Sequence, residues 1–141
     1  MKINTKIRYG LRTMISIATS KETNGILQKD IAATQDISLK YLDSIISALK
    51  VKGLITNSKG RGGGYKLARS AKEISMWDIY TAFESIPLVE CIQNVELCPR
   101  SCDCKANKYW KEFSLDFQRI LFKKTLEQII MDPAPIDSSQ L

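Results

Sequence analysis

Residues 36–69 read DISLKYLDSIISALKVKGLITNSKGRGGGYKLAR. Ser38 is suited to cap a helix, because its side-chain oxygen can accept an orphan N–H of the first turn. Beyond it Tyr41, Leu42, Ile45, Ile46 and Leu49 recur at helical spacing and form one apolar stripe. Lys40, Asp43, Ser44, Ser47 and Lys50 lie off that stripe. Gly53 follows the last turn as a C′ residue should. Then Leu54-Ile55-Thr56 and Tyr65-Lys66-Leu67 suit two short strands, joined by the glycine-rich, cationic NSKGRGGG of residues 57–64.

Upstream, LQKDIAATQD (27–36) reads as a short helix with Ile31 and Ala32 facing in. Two short helices with a tight polar turn between them make a helix-turn-helix. A hairpin directly after such a unit is a wing. Its tip carries Lys59 and Arg61, which can follow a phosphate backbone or enter a minor groove. Gly60, Gly62, Gly63 and Gly64 permit close approach and positive φ angles. A surface hairpin with two solvated charges is the plainer alternative, but the order of the elements favours DNA. Residues 3–20 supply a preceding helix, with Ile7, Leu11, Met14, Ile15 and Ala18 in register and Gly10 marking a close contact or a weak point. Asn24-Gly25 marks a turn, and Ile26-Leu27 suits a short strand.

Downstream, SMWDIYTAFES (75–85) predicts a helix capped by Ser75, which buries Trp77, Ile79, Tyr80 and Phe83 and is stopped by Pro87. Residues 88–103 show no periodicity and read as a loop. A long helix is expected from Cys104 to about Met131. One of its stripes is Trp110, Phe113, Phe117, Ile120 and Leu121; a second is Leu115, Phe122, Leu126 and Ile129. One small domain cannot cover two apolar faces, so one is expected to pack at home and the other on a second subunit. The tail DPAPIDSSQL (132–141) reads as disordered.

The chain of 141 residues carries a net charge of +6, unevenly spread. Residues 1–70 hold 13 Lys and Arg against 4 Asp and Glu, and residues 71–141 hold 8 against 11. A basic first half suggests a polyanionic partner. There is no histidine, which excludes Ser-His and Cys-His catalysis. No phosphate-cradling loop and no helical carboxylate pair suggests an enzyme. No signal peptide and no membrane-spanning stretch is visible, so a cytoplasmic protein with reduced thiols is expected.

All four cysteines fall in CIQNVELCPRSCDC (91–104). Four readings are open: an iron–sulfur cluster held by thiolates, a single-ion Cys₄ site, a thiol–disulfide switch favoured by nearby Lys105 and Arg100, or inert buried thiols.

YGLRTMISIA (9–18), residues 29–69, EISMWDIYTAFE (73–84) and the cysteines before YWKEF (109–113) together resemble the IscR/NsrR/CymR family of Rrf-type bacterial winged-helix transcription regulators. The resemblance covers residues 1–130. It implies a mainly α fold: a winged helix-turn-helix DNA-binding domain (1–85), a cysteine-containing sensor loop (86–103) and a long C-terminal dimerisation helix (104–131) with the five-residue stripe at the interface. It implies a homodimer on a palindromic promoter site, with Ser38, Lys40, Tyr41 and Ser44 at the major groove, Gln28 and Lys29 at phosphate, and Lys59 and Arg61 on the wing. Tyr41 also begins the apolar stripe, so a place in the core is its other reading. Where the family has R-G-P-G-G-G-Y, Lys59 stands for Arg and Arg61 for Pro. Many members hold an iron–sulfur cluster, of the 2Fe-2S or 4Fe-4S type, through three cysteines, here Cys91, Cys98 and Cys104. The residues that complete the site in relatives are a His, here Asn107, or an acid of the first helix, here Arg8. Cys102 is then the candidate fourth ligand. The expected function is a redox- or iron-sensing transcription regulator. The alternatives are a thiol-switch regulator and a cluster-free architectural or non-specific DNA-binding dimer.

Overall fold

The computed structural model describes residues 3–85, 89–94, 96, 98–100 and 102–133. Helix α1 (Thr5–Thr19) is capped by Asn4, whose side chain accepts the Lys6 N–H, and buries Ile7, Met14 and Ile17. Helices α2 (Gln28–Gln35) and α3 (Leu39–Val51) follow, separated by Asp36 in the left-handed region at φ 53°. Asp tolerates that region better than most residues. The Ile37 N–H returns to the Ala32 carbonyl at 3.0 Å and closes the turn. Ser38 caps α3 by accepting the Tyr41 N–H. The far end of α3 closes with Gly53 at φ 76°, its N–H bonded to the Lys50 carbonyl and the Leu54 N–H to the Leu49 carbonyl. That double bond pattern needs a residue free to adopt positive φ. Leu42, Ile45, Ile46 and Leu49 are buried, as the stripe requires.

Strands β1 (Ile55–Asn57) and β2 (Tyr65–Leu67) pair antiparallel, Ile55 opposite Leu67. The expected strand at Ile26-Leu27 reduces to one bridge, Ile26 to Tyr65, because Leu27 already serves as the N-cap of α2. The wing is tied to the α1–α2 turn: Gly64 N–H donates to the Asn24 carbonyl at 2.7 Å and Tyr65 N–H to the Ile26 carbonyl at 2.8 Å. At Gly64 a Cβ would lie 2.3 Å from the Ile26 carbonyl group, so only hydrogen fits.

Helix α4 (Met76–Thr81) is shorter than expected but keeps Ser75 as N-cap, in a capping box with Asp78. Pro87, expected to stop it, lies outside the described residues, as do residues 134–141 of the tail. Gly10 is a close-packing site: a Cβ there would meet the Phe83 ring at 2.3 Å. Helix α5 (Glu90–Gln93) adds one turn inside the segment expected to be a loop.

The expected single helix over 104–131 is two helices, α6 (Lys105–Lys123) and α7 (Leu126–Met131). The break has a local cause. Thr125 and Gln128 form a capping box. Residues 124–126 pair with 74–76 instead of continuing the helix: Met76 N–H donates to the Lys124 carbonyl and Leu126 N–H to the Ile74 carbonyl, both at 2.8 Å. Leu126 is thereby fully buried in the same core as Met14, Ile31, Leu42 and Ile79. On α6, Phe117 packs edge-on against Tyr80 at 5.6 Å and Phe122 stacks on Trp77 at 4.8 Å. Burial first, and the Glu84 carboxylate second, raise the Tyr80 pKa above its ordinary value. The phenol therefore stays neutral through the physiological range. Among the described residues no helix is long and apolar enough to cross a membrane.

Gly64→Ala is expected to lower stability by about 1–3 kcal/mol, because the contacted atoms are backbone and cannot yield. Gly62→Ala, with open space at φ 72°, is expected to cost about 1 kcal/mol. Urea melts of the two variants check the order.

Candidate nucleic-acid interface and cysteine segment

The start of α3 is lined by hydroxyl and ammonium groups. Ser38, Lys40 and Ser44 are exposed. The Ser38 oxygen is already an acceptor for the helix cap, and Ser44 donates to the Tyr41 carbonyl at 2.8 Å. Tyr41 is half-buried with its ring edge-on to Tyr9 at 5.7 Å, so α1 buttresses it. Arg12 lies over the other partner of that pair, its guanidinium 5.2 Å from the Tyr9 ring centroid, and donates to the Gln35 side chain. Lys6 from α1 joins Ser38, Lys40, Tyr41 and Ser44 in lining an open cleft of about 430 Å³. Sequence reasoning missed Lys6. Its exposure on α1 was legible, but its approach to α3 is a matter of tertiary packing.

The chain carries Lys29 and Gln28 on the first turn of α2 in different states. Lys29 is exposed. Gln28 is half-buried and bridges two other elements: its amide donates to Asp43 on α3, and its oxygen accepts the Tyr65 hydroxyl at 3.4 Å. The bridge ties α2, the exposed side of α3 and the base of the wing together. At the wing tip Lys59 and Arg61 are both exposed, with no acidic partner among the described residues. Gly60 and Gly62 take positive φ; Gly63 and Gly64 serve close approach instead.

The cysteine segment lies at the other end of α6. Cys91 sits on α5, half-buried; Cys98 and Cys104 are half-buried and Cys102 is exposed, all as free thiols. Cys104 is the N-cap of α6, its sulfur accepting the Asn107 N–H at 3.4 Å. Asn107 is buried, and its side-chain amide donates to the Cys91 carbonyl at 3.0 Å. Among the described residues no three Cys, Asp or Glu side chains are grouped so as to hold a metal ion. Arg8 is exposed on α1.

The five-residue stripe of α6 divides in two. Phe117 packs at home, and Phe113 and Leu121 are half-buried. Trp110 is 38% and Ile120 66% exposed. Tyr109, exposed and one helical turn from Phe113, extends the outward row and clusters with Trp110 and Phe113.

Over residues 3–132 the chain matches a family model described as Rrf2, an iron-dependent transcriptional regulator. It is 37% identical to protein rrf2 of Nitratidesulfovibrio vulgaris, across 94% of this chain and 89% of that protein. It is 30% identical to the HTH-type transcriptional regulator IscR of Klebsiella pneumoniae, across 99% of this chain and 85% of that protein. The crystal structure of the oxidized form of Staphylococcus aureus CymR superposes with a TM-score of 0.71 at 32% identity, covering 96% of this chain and all of that one.

Proposed function

This chain belongs to the Rrf2 family of transcriptional regulators, and on that premise we propose that it binds a palindromic promoter site as a homodimer whose affinity is set by chemistry at Cys91, Cys98, Cys102 and Cys104. It is a DNA-binding regulator and not an enzyme. One observation carries the sensing part of the reading. The cysteine segment is bonded to the first turn of α6, and α6 is the helix with the outward apolar row. A change at the thiols therefore acts on the element expected to join the subunits.

In this reading residues 1–85 bind DNA, 86–103 sense, and α6 dimerises through Trp110, Phe113, Ile120 and Leu121, with Phe117 holding the helix to its own domain. Ser38, Lys40 and Ser44 meet the major groove, since the first residues of a recognition helix contact base edges. Tyr41 shapes that surface through Tyr9. Lys29 meets phosphate. Gln28 is assigned to holding α3 and the wing in register, because its polar atoms are already engaged. Arg61 is the preferred minor-groove reader over Lys59, because a guanidinium is more weakly hydrated and is favoured there.

The donor chemistry fits an iron–sulfur cluster: four soft thiols, three of them half-buried. The family description, iron-dependent, supports the same cofactor. Bound, such a cluster would make occupancy of the site depend on iron and oxidant. Cys91, Cys98 and Cys104 would hold it, with Cys102 as fourth ligand. These thiols are not grouped for one centre among the described residues, so ligation requires the segment to close up. The oxidized form in which a CymR relative was solved favours a second reading, a metal-free thiol switch on the same residues.

Anaerobic purification, a visible absorbance spectrum and iron and sulfide assays decide between the two. A coloured, iron-containing protein is expected; a colourless, iron-free protein that still binds DNA overturns the cluster reading. Cys98→Ala is expected to make promoter affinity indifferent to cluster assembly. A variant that follows the wild type at every promoter refutes the coupling.

Two further outcomes test the DNA and dimer assignments. Arg61→Ala should weaken promoter binding more than Lys59→Ala. Each is expected to lower the salt slope by about 1 if it meets a phosphate. Steep salt dependence without preference for a palindrome would point to an architectural DNA-binding protein instead. Ile120→Asp should sediment as a monomer and lose about 100-fold or more in affinity for the full palindrome, because two half-sites no longer bind together.

A further inference from the structure

We propose that Asn107 is a positioning residue of the sensor, a latch that holds the Cys91 segment against the start of α6 before any cofactor or oxidant arrives. The proposal rests on the sensing role assigned above to these cysteines. Asn107 is only 3% exposed, whereas its neighbours Lys105, Ala106, Lys108 and Tyr109 are all exposed. A carboxamide placed there is costly unless its donors are used. They are used on the cysteine segment. The backbone N–H goes to the Cys104 sulfur and the side-chain amide to the Cys91 main-chain carbonyl, 3.0 Å away. Among the described residues this is the one hydrogen bond between residues 89–94 and α6.

The residue type matters. Asn presents N–H donors to a carbonyl that can only accept. An Asp of the same shape would face that carbonyl with lone pairs, and Ala or Leu would leave it unbonded. The carboxamide nitrogen also has no free lone pair for a metal. Asn107 thus serves here by holding the chain that carries Cys91. The Cys91 main chain and the Cys104 sulfur are consequently held at the helix start in the free-thiol state. Cys102 is exposed and takes part in no hydrogen bond among the described residues.

The test uses the full-length, metal-free protein under anaerobic, reducing conditions with a chelator present. Each thiol is alkylated with iodoacetamide and its rate read by mass spectrometry, alongside hydrogen exchange of the backbone. In Asn107→Ala and Asn107→Asp the Cys91 rate and the exchange of residues 89–94 are expected to rise about 5–10-fold, the worth of one buried hydrogen bond. The Cys102 rate and the exchange of α3 are expected to stay at wild-type values. Unchanged Cys91 rates in both variants overturn the latch. Should either variant fail to fold, nitrogen-15 spectra of the wild type decide: slow exchange and a nuclear Overhauser contact from the Asn107 carboxamide to Cys91 support the latch, and a solvent-exchanging amide without that contact overturns it. Because no metal is present, this outcome is separate from the sensing role. A protein that passes this test but whose DNA affinity ignores iron and oxidant keeps the latch and loses the sensor.

Discussion

The backbone pairing of residues 74–76 with 124–126 fixes how the two halves of this protein meet. Two hydrogen bonds of 2.8 Å stop α6, turn the chain back and place Leu126 in the core with Met14, Ile31, Leu42 and Ile79. Without that pairing α6 would run on as an independent rod. With it, the C-terminal end of α6 is anchored to α4, and the stack of Trp77 on Phe122 and the edge-on contact of Phe117 with Tyr80 extend the contact along the helix. The other end starts at Cys104. A 19-residue helix spans about 28 Å, so the thiols and the anchor lie at opposite ends of one rigid element.

The surface around α3 is built on a similar economy of ties. Its buried stripe holds the helix to the core, and three contacts fix its exposed side. Tyr9 buttresses Tyr41, Gln28 reaches Asp43, and Tyr65 returns to Gln28 from the wing. The glycines beside Tyr65 let the hairpin lie against the Asn24–Ile26 turn with no side chain between them. These contacts link the wing to α2 and α3, whereas Lys59 and Arg61 at its tip are exposed. Lys6 of α1 adds an ammonium to the cleft at the start of α3.

The elements governed by neighbours in the chain were legible in the sequence. Ser38, Ser75 and Gly53 announce helix ends through bonds spanning three to five residues, and the α3 stripe and the Gly-rich hairpin are equally local. The break between α6 and α7 was misread because apolar residues from Phe117 to Ile129 keep a helical rhythm across it. Thr125-x-x-Gln128 was the available sign, a capping box in mid-pattern. The bond of Gln28 to Asp43 could not be read either, because it depends on how α2 and α3 pack. Asn107 was recognised as a replaced ligand, yet nothing in its spacing revealed that it would be buried against the Cys91 carbonyl. That no three Cys, Asp or Glu side chains are grouped for a metal ion among the described residues was likewise hidden, since spacing in the sequence does not decide which sulfurs meet.

The energies involved suit a regulator. A tenfold change in promoter affinity corresponds to a difference of about 1.4 kcal/mol between two states of a regulator. Two bonds at the start of α6, to Cys104 and from Asn107, are each worth about 1 kcal/mol in a partly buried setting. Redirecting the Cys104 sulfur to a metal or to another sulfur would weaken its role as the α6 cap, while the bond to the Cys91 carbonyl involves no thiol and can persist. Under the proposed sensing role, the signal would be a change in the first turn of α6 with the segment still attached. That turn lies directly before the outward row of Tyr109, Trp110 and Phe113. In the homodimer proposed above the same change would occur once in each subunit, at the start of the helix that carries the outward row.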